Sequence, residues 1–85
     1  MKMIKIFTMN DCPYCTKLKG MLDEQNLTYE EIDVFENEAR FEKLMEITGS
    51  DSVPMIIVNK NILAPEVSFE TIEEAVKTTK KLLDS

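Results

Sequence analysis

Both cysteines of the chain lie in one four-residue stretch, Cys12-Pro13-Tyr14-Cys15. Two thiols separated by two residues can close a small disulfide ring across one helical turn. When one thiolate attacks a substrate disulfide, the other is already within reach to resolve the mixed disulfide that forms. The stretch follows an apolar, strand-like run and opens a helix-like one. A cysteine at a helix N-terminus faces unpaired backbone N–H groups and the positive end of the helix dipole, and both favour thiolate over thiol. Pro13 suits the first helical position, where a missing N–H is harmless and φ is already right. Cys12 is therefore the expected nucleophile, and Cys15, one turn inside the helix, the expected resolving thiol.

These thiols need a scaffold, and the hydrophobic pattern supplies one. Residues 3–7 form a buried strand. Residues 13–26 form a helix with Cys15, Leu18, Met21 and Leu22 on one face and Lys17, Lys19, Asp23 and Glu24 on the other. Asn26 is its stop. Residues 28–34 alternate as a second strand, Ile32 and Val34 opposing Glu31 and Asp33. Asn37 is placed to cap a helix over residues 38–48, with Phe41, Leu44, Met45 and Thr48 inward and Gly49 at its end. A β-rich run over residues 55–58 suits a central strand. Asn59-Lys60-Asn61 then turns to a short strand at residues 62–64. Ser68 or Thr71 starts a last helix reaching Leu83. Its acids Glu70, Glu73 and Glu74 come early and Lys77, Lys80 and Lys81 late, complementing the dipole. Ile72, Val76, Leu82 and Leu83 dock it. The order β-α-β-α-β-β-α calls for a parallel pair, an antiparallel hairpin and helices on both faces of a four-stranded sheet.

Composition sets bounds on function. Eighty-five residues, 44% of them hydrophobic, suffice for one domain over residues 1–85 with one core. Two cysteines three positions apart staple nothing distant, which argues for redox work in a reducing compartment. The apolar start is too short for a secretory leader and residues 53–58 are too short to span a bilayer, so a cytoplasmic protein without membrane association is expected. A net charge of −6 disfavours nucleic acid. With no histidine, a Cys-His hydrolase is excluded within one chain.

Ile6-Phe7-Thr8 leading to Cys12-Pro13-Tyr14-Cys15, followed by Ser52-Val53-Pro54 before the 55–58 strand, resembles the glutaredoxins of the thioredoxin-fold superfamily. The four-residue motif has the form of the dithiol members, and the element order matches over nearly the whole chain. The resemblance implies an α/β thioredoxin fold, a four-stranded mixed sheet flanked by three helices. It implies a cis peptide before Pro54, with that ring beside the thiols. It also implies that the Val53 backbone pairs with substrate like an added strand and that Tyr14 flanks the bound thiol. Pro13, Tyr14, Ser52, Val53, Pro54 and Glu66 are the implied substrate-binding residues. Physical chemistry supports the Pro54 reading in part: a proline opening an apolar strand belongs to a turn or an edge.

The departures from the family pattern bear on the reductant. Glutaredoxins usually carry a lysine three residues before the first cysteine; here Met9 stands there, followed by Asn10 and Asp11. Asp51, just ahead of Ser52, would repel a glutathione carboxylate. The usual Gly-Gly-Asp after the hairpin is replaced by Leu63-Ala64-Pro65-Glu66. Glu66 stands in for the acid, while Leu63 and Ala64 bring side chains where backbone should approach a ligand. Asn10-Asp11 and Ser68-Phe69 are similar to the redoxins that serve ribonucleotide reductase and draw electrons from thioredoxin reductase.

The expectation is a glutaredoxin-like thiol–disulfide oxidoreductase that reduces protein or mixed disulfides through Cys12 and Cys15. No bound cofactor or metal is expected, and a monomer is. The reductant is glutathione as co-substrate or a flavoenzyme of the thioredoxin reductase type. One alternative is the ribonucleotide-reductase type of redoxin. Another is a metal or iron–sulfur module: Cys12 and Cys15 supply two of the four ligands a zinc site needs, which leaves a dimeric four-cysteine site or a bridged iron–sulfur cluster. A third is a redox-sensing adaptor docking through the Val53-Pro54 edge. Lys17 and Lys19 read as a solvated face. Met21 and Met45 read as core. Glu30, Glu31, Asp33, Glu36 and Glu38 read as mostly water-facing.

Overall fold

The computed structural model describes residues 4–84. Its elements run β1 (Ile4–Thr8), α1 (Pro13–Glu24), β2 (Glu30–Asp33), α2 (Glu38–Thr48), β3 (Met55–Val58), β4 (Asn61–Leu63) and α3 (Ile72–Leu83). This is the order expected from the pattern. The pattern predicts the first strand at residues 3–7; it runs to Thr8, and Met3 lies outside the described residues. The sheet order is β2-β1-β3-β4. β1 and β2 are parallel, with Phe7 opposite Ile32. β3 runs antiparallel to both β1 and β4.

The pleat sends alternate side chains of the sheet into two cores. On one face Ile4, Ile6, Ile56, Val58 and Leu63 meet Leu18 and Leu22 of α1 and Ile72, Ala75, Val76 and Leu83 of α3. On the other, Phe7, Met55, Ile32 and Val34 meet Phe41 and Leu44 of α2. Phe7 and Phe41 stack at 6.3 Å between centroids, and the Arg40 guanidinium lies 5.5 Å from the Phe7 ring. Each fully buried side chain of this size contributes about 1.5–3 kcal/mol. Met21 and Met45 are half-buried against these cores, and Met55 is wholly inside.

The ends of the elements follow local chemistry. α1 stops one turn short of Leu27. Its Schellman closure has the Leu27 N–H donating to Leu22 O and the Asn26 N–H to Asp23 O, with Asn26 left-handed at φ 57°. Asn26 is thus the expected stop, two residues beyond the last helical one. β2 is shorter than residues 28–34, because only Glu30–Asp33 align with β1. Asn37 precedes α2 but does not cap it through its side chain: its Nδ2 donates to Asp33 O at 3.0 Å instead. Gly49 closes α2 at φ 77°. α3 begins at Thr71 rather than Ser68, through a reciprocal capping box with Glu74. Ser68 accepts the Ala64 N–H, and both Ser68 and Val67 donate their own N–H back to Ala64 O.

Candidate active site

Cys12 is the N-cap of α1, with extended backbone at φ −101°, and its Sγ accepts the Cys15 N–H at 3.2 Å. Asp11, in left-handed conformation at φ 59°, turns the chain from β1 into this cap. Thr16 donates both its N–H and its hydroxyl to Cys12 O, locking the first turn. Pro13 occupies the first helical position and points to solvent. Cys12 is half-buried and Cys15 is 1% exposed, and the two thiols are unbridged. Burial, and the hydrogen bond of its thiol to Cys12, push Cys15 up to about 12. A backbone hydrogen bond from Met9 and the charge of Lys19 oppose that rise.

Beside the helix start lies a cleft of about 450 Å³. Tyr14, Ser52, Val53, Pro54 and Glu66 all stand on its walls, so five of the eight sequence-named residues converge there. Cys12, Pro13 and Cys15 do not line it: the first two sit on the helix start next to Tyr14, and Cys15 is in the core beneath. The Val53–Pro54 peptide is cis, as the resemblance implied. Pro54 is fully buried, while Tyr14 is 65% exposed.

The remaining walls come from Met9, Asp51, Pro65 and the start of α3, where Phe69, Glu70, Thr71 and Ile72 approach. Met9 and Asp51 were singled out only as departures, and Phe69 only through the redoxin likeness. Glu70, Thr71 and Ile72 read in sequence as a helix start and its docking face. Their second role depends on the helix end packing over the Pro54 loop, which no local pattern encodes. The turn carrying Glu66 is closed by Glu66 N–H to Phe69 O at 2.8 Å, and Glu66 is left-handed at φ 67°.

Leu63 and Ala64 do not obstruct the cleft. Leu63 points into the α1–α3 core and Ala64 into the α2 core, so the expectation that they crowd a ligand is corrected. The lysines of α1 are engaged at the surface: Lys17 with Glu73 at 3.0 Å and Lys19 with Glu31 at 2.9 Å. The Thr8 hydroxyl also donates to Glu31, and these two partners hold Glu31 below the usual carboxylate range. Among the described residues no cluster of three or more His, Cys, Asp or Glu is placed to hold a metal ion, and no helix is long and apolar enough to cross a membrane.

A family model described as Glutaredoxin matches residues 4–63. The chain belongs to the glutaredoxin family. Glutaredoxin 1 of Rickettsia felis is 41% identical to it over 58 residues, 66% of this chain and 57% of that protein. This glutaredoxin-family chain thus spans less than two thirds of the length of the curated Rickettsia relatives it matches. A complex of buckwheat glutaredoxin with glutathione superposes at a TM-score of 0.72, with 17% identity, over 94% of this chain and 70% of that one. The glutaredoxin-like NrdH-redoxin of Escherichia coli superposes at 0.66, with 24% identity, over 93% and 92%. Both share the thioredoxin fold found here, a mixed four-stranded sheet with three helices.

Proposed function

We propose that this glutaredoxin-family protein is a dithiol thiol–disulfide oxidoreductase acting on protein or mixed disulfides. The observation that carries the reading is Cys12 Sγ at the cap of α1, receiving the Cys15 N–H beside an open cleft. Cys12 as thiolate attacks one sulfur of the substrate disulfide. A Cys12–substrate disulfide forms, and the other substrate sulfur leaves as a thiolate. Cys15 then gives its proton to a departing thiolate and attacks Cys12 Sγ, and the Cys12–Cys15 bond replaces the mixed disulfide. Two electrons pass from the protein to the substrate. Val53 offers its backbone as an added strand edge, Tyr14 and Pro54 flank the bound sulfur, Ser52 and Pro13 shape the approach, and Glu66 meets an amine.

Insulin-disulfide and mixed-disulfide reduction by the pre-reduced protein tests this reading. Turnover lost in Cys12→Ser supports it; a protein that forms mixed disulfides but never turns over is an adaptor instead. Colour or stoichiometric metal in the purified protein would favour the metal or iron–sulfur reading.

A second reading concerns the electron donor. Glutathione carries two carboxylates and one amine, so a tight site needs cations. Met9 and Asp51 stand on the cleft wall and supply none. We infer weak use of glutathione and a protein reductase of the thioredoxin reductase kind as donor. Two assays on one substrate decide: NADPH, glutathione reductase and glutathione in one, NADPH and thioredoxin reductase in the other. Efficient turnover at low glutathione, with none in the second, overturns this reading.

A further inference from the structure

We infer that the cleft selects disulfides whose reacting cysteine is flanked by lysine or arginine in an extended peptide segment, with Asp51, Glu66 and Glu70 as specificity-determining residues. The inference rests on the oxidoreductase reading above and names its substrate class.

The charged side chains on the cleft walls are these three carboxylates; among the described residues no lysine or arginine lines it. Nor is their charge answered from within. The ion pairs of Lys17 and Lys19 go to Glu73 and Glu31, and among the described residues none goes to Asp51, Glu66 or Glu70. Apart from Ser52, Thr71 and the Tyr14 hydroxyl, the rest of the surface they share is apolar, with Phe69, Ile72 and Pro54 buried behind it. Low-dielectric walls carrying one sign of charge concentrate the field in a cleft and raise the local concentration of oppositely charged substrate.

Two further features point to an occupant. Glu66 is held left-handed at φ 67° by a turn whose backbone bonds run from Glu66 N–H to Phe69 O and from Ser68 N–H to Ala64 O. Such a conformation is unfavourable for a residue that carries a side chain, and it persists only where its surroundings impose it. The turn therefore fixes the backbone from which the Glu66 side chain reaches the cleft wall. Val53, half-buried and also lining the cleft, makes no backbone hydrogen bond among the described residues. Its N–H and C=O are left for an extended chain laid along the cleft. The volume of about 450 Å³ takes a few side chains and not a folded domain. A peptide that spends its backbone on Val53 and its cations on the three carboxylates satisfies both. Glutathione, with two carboxylates of its own, does not.

The test uses the pre-reduced full chain in single turnover, so that no reductase enters. Three disulfide peptides are compared, identical except that the residues flanking the cysteine are lysine, glutamine or glutamate. In each, Cys12 and Cys15 are oxidised to their disulfide as the peptide disulfide is reduced to two thiols. At low ionic strength the lysine peptide is expected to react roughly tenfold or more faster than the glutamate peptide, with glutamine between. The ratio should collapse toward one near 1 M salt, where the screening length falls to about 3 Å. The triple variant D51N/E66Q/E70Q should flatten the ranking. The variant E38Q/E42Q/E46Q on α2, which removes as many charges, should keep it. Because the readout is a ratio within one preparation, partial loss of folded protein cancels. Equal rates for the three peptides, a faster glutamate peptide, or a ranking that survives D51N/E66Q/E70Q overturns this inference alone. Failure to reduce any of the three overturns the oxidoreductase reading with it.

Discussion

The backbone N–H of Cys15 lies 3.2 Å from Cys12 Sγ, so the residue that would resolve the mixed disulfide also holds the sulfur that would form it. The contact survives replacement of the Cys15 side chain, because it comes from the main chain. Cys15→Ser should therefore keep a competent nucleophile and accumulate a covalent Cys12–substrate disulfide, visible as a mass adduct. Cys12→Ser should abolish reduction, by at least about a hundredfold. Alkylation at mildly acidic pH should label half-buried Cys12 well before Cys15, which is 1% exposed. Labelling in the reverse order would exchange the two roles.

Cys15 also ties stability to alkaline pH. Folded, its thiol keeps a proton up to about 12, against an ordinary 9.0. Between these values the folded chain binds more protons than the unfolded one, so stability falls as pH rises. The contribution is whole below about 9 and gone by about 12. The reduced protein should lose up to about 1.4 kcal/mol per pH unit more than Cys15→Ala across that window. Urea unfolding at several alkaline pH values measures the difference, and parallel curves would show that Cys15 titrates alike in both states.

Met9→Lys should restore a cation at the cleft wall. A charge-assisted hydrogen bond of about 1.5–3 kcal/mol would tighten glutathione use roughly ten- to a hundredfold. The gain should appear in the glutathione-coupled assay and be absent with thioredoxin reductase. An equal gain in both would mean that Met9 acts on the thiols and not on the donor.

Thr71 bears on both the fold and the cleft, since it caps α3 and stands on the cleft wall. Thr71→Ala should cost about 1 kcal/mol, lowering Tm by roughly 4–8 °C in a domain of this size. Thr71→Ser keeps the capping oxygen and should recover most of it. Thermal unfolding followed by circular dichroism checks both.

The element order was legible because apolar residues recur at the right periods, but one core was expected and the pleat makes two, Ile4, Ile6, Ile56 and Val58 facing one side and Phe7, Ile32 and Phe41 the other. The bounds of α2 match because Gly49 marks one end and Asn37 the other. Asn37's side-chain partner was not legible, since its amide turned back to Asp33 O, an alternative that every N-cap asparagine has. Tyr14, Ser52, Val53, Pro54 and Glu66 were found through motif likeness, and the structure gathers them around one cleft. Glu70, Thr71 and Ile72 were missed as wall residues, and the inward turn of Leu63 and Ala64 was misjudged. Both depend on how α3 and its leading turn seat against the sheet, a long-range contact without a local signature.

The sheet ends on one side at β2, and that strand is Glu30-Glu31-Ile32-Asp33. An outer strand leaves a row of amides and carbonyls unpaired, ready to zip onto another chain. A second copy laid alongside in parallel register would set Glu30 against Glu30 and Asp33 against Asp33, Glu31 being paired with Lys19, and like charges placed across a ladder are unfavourable. The acidity of this strand therefore guards the border, keeping a small sheet from growing by one more neighbour at a time.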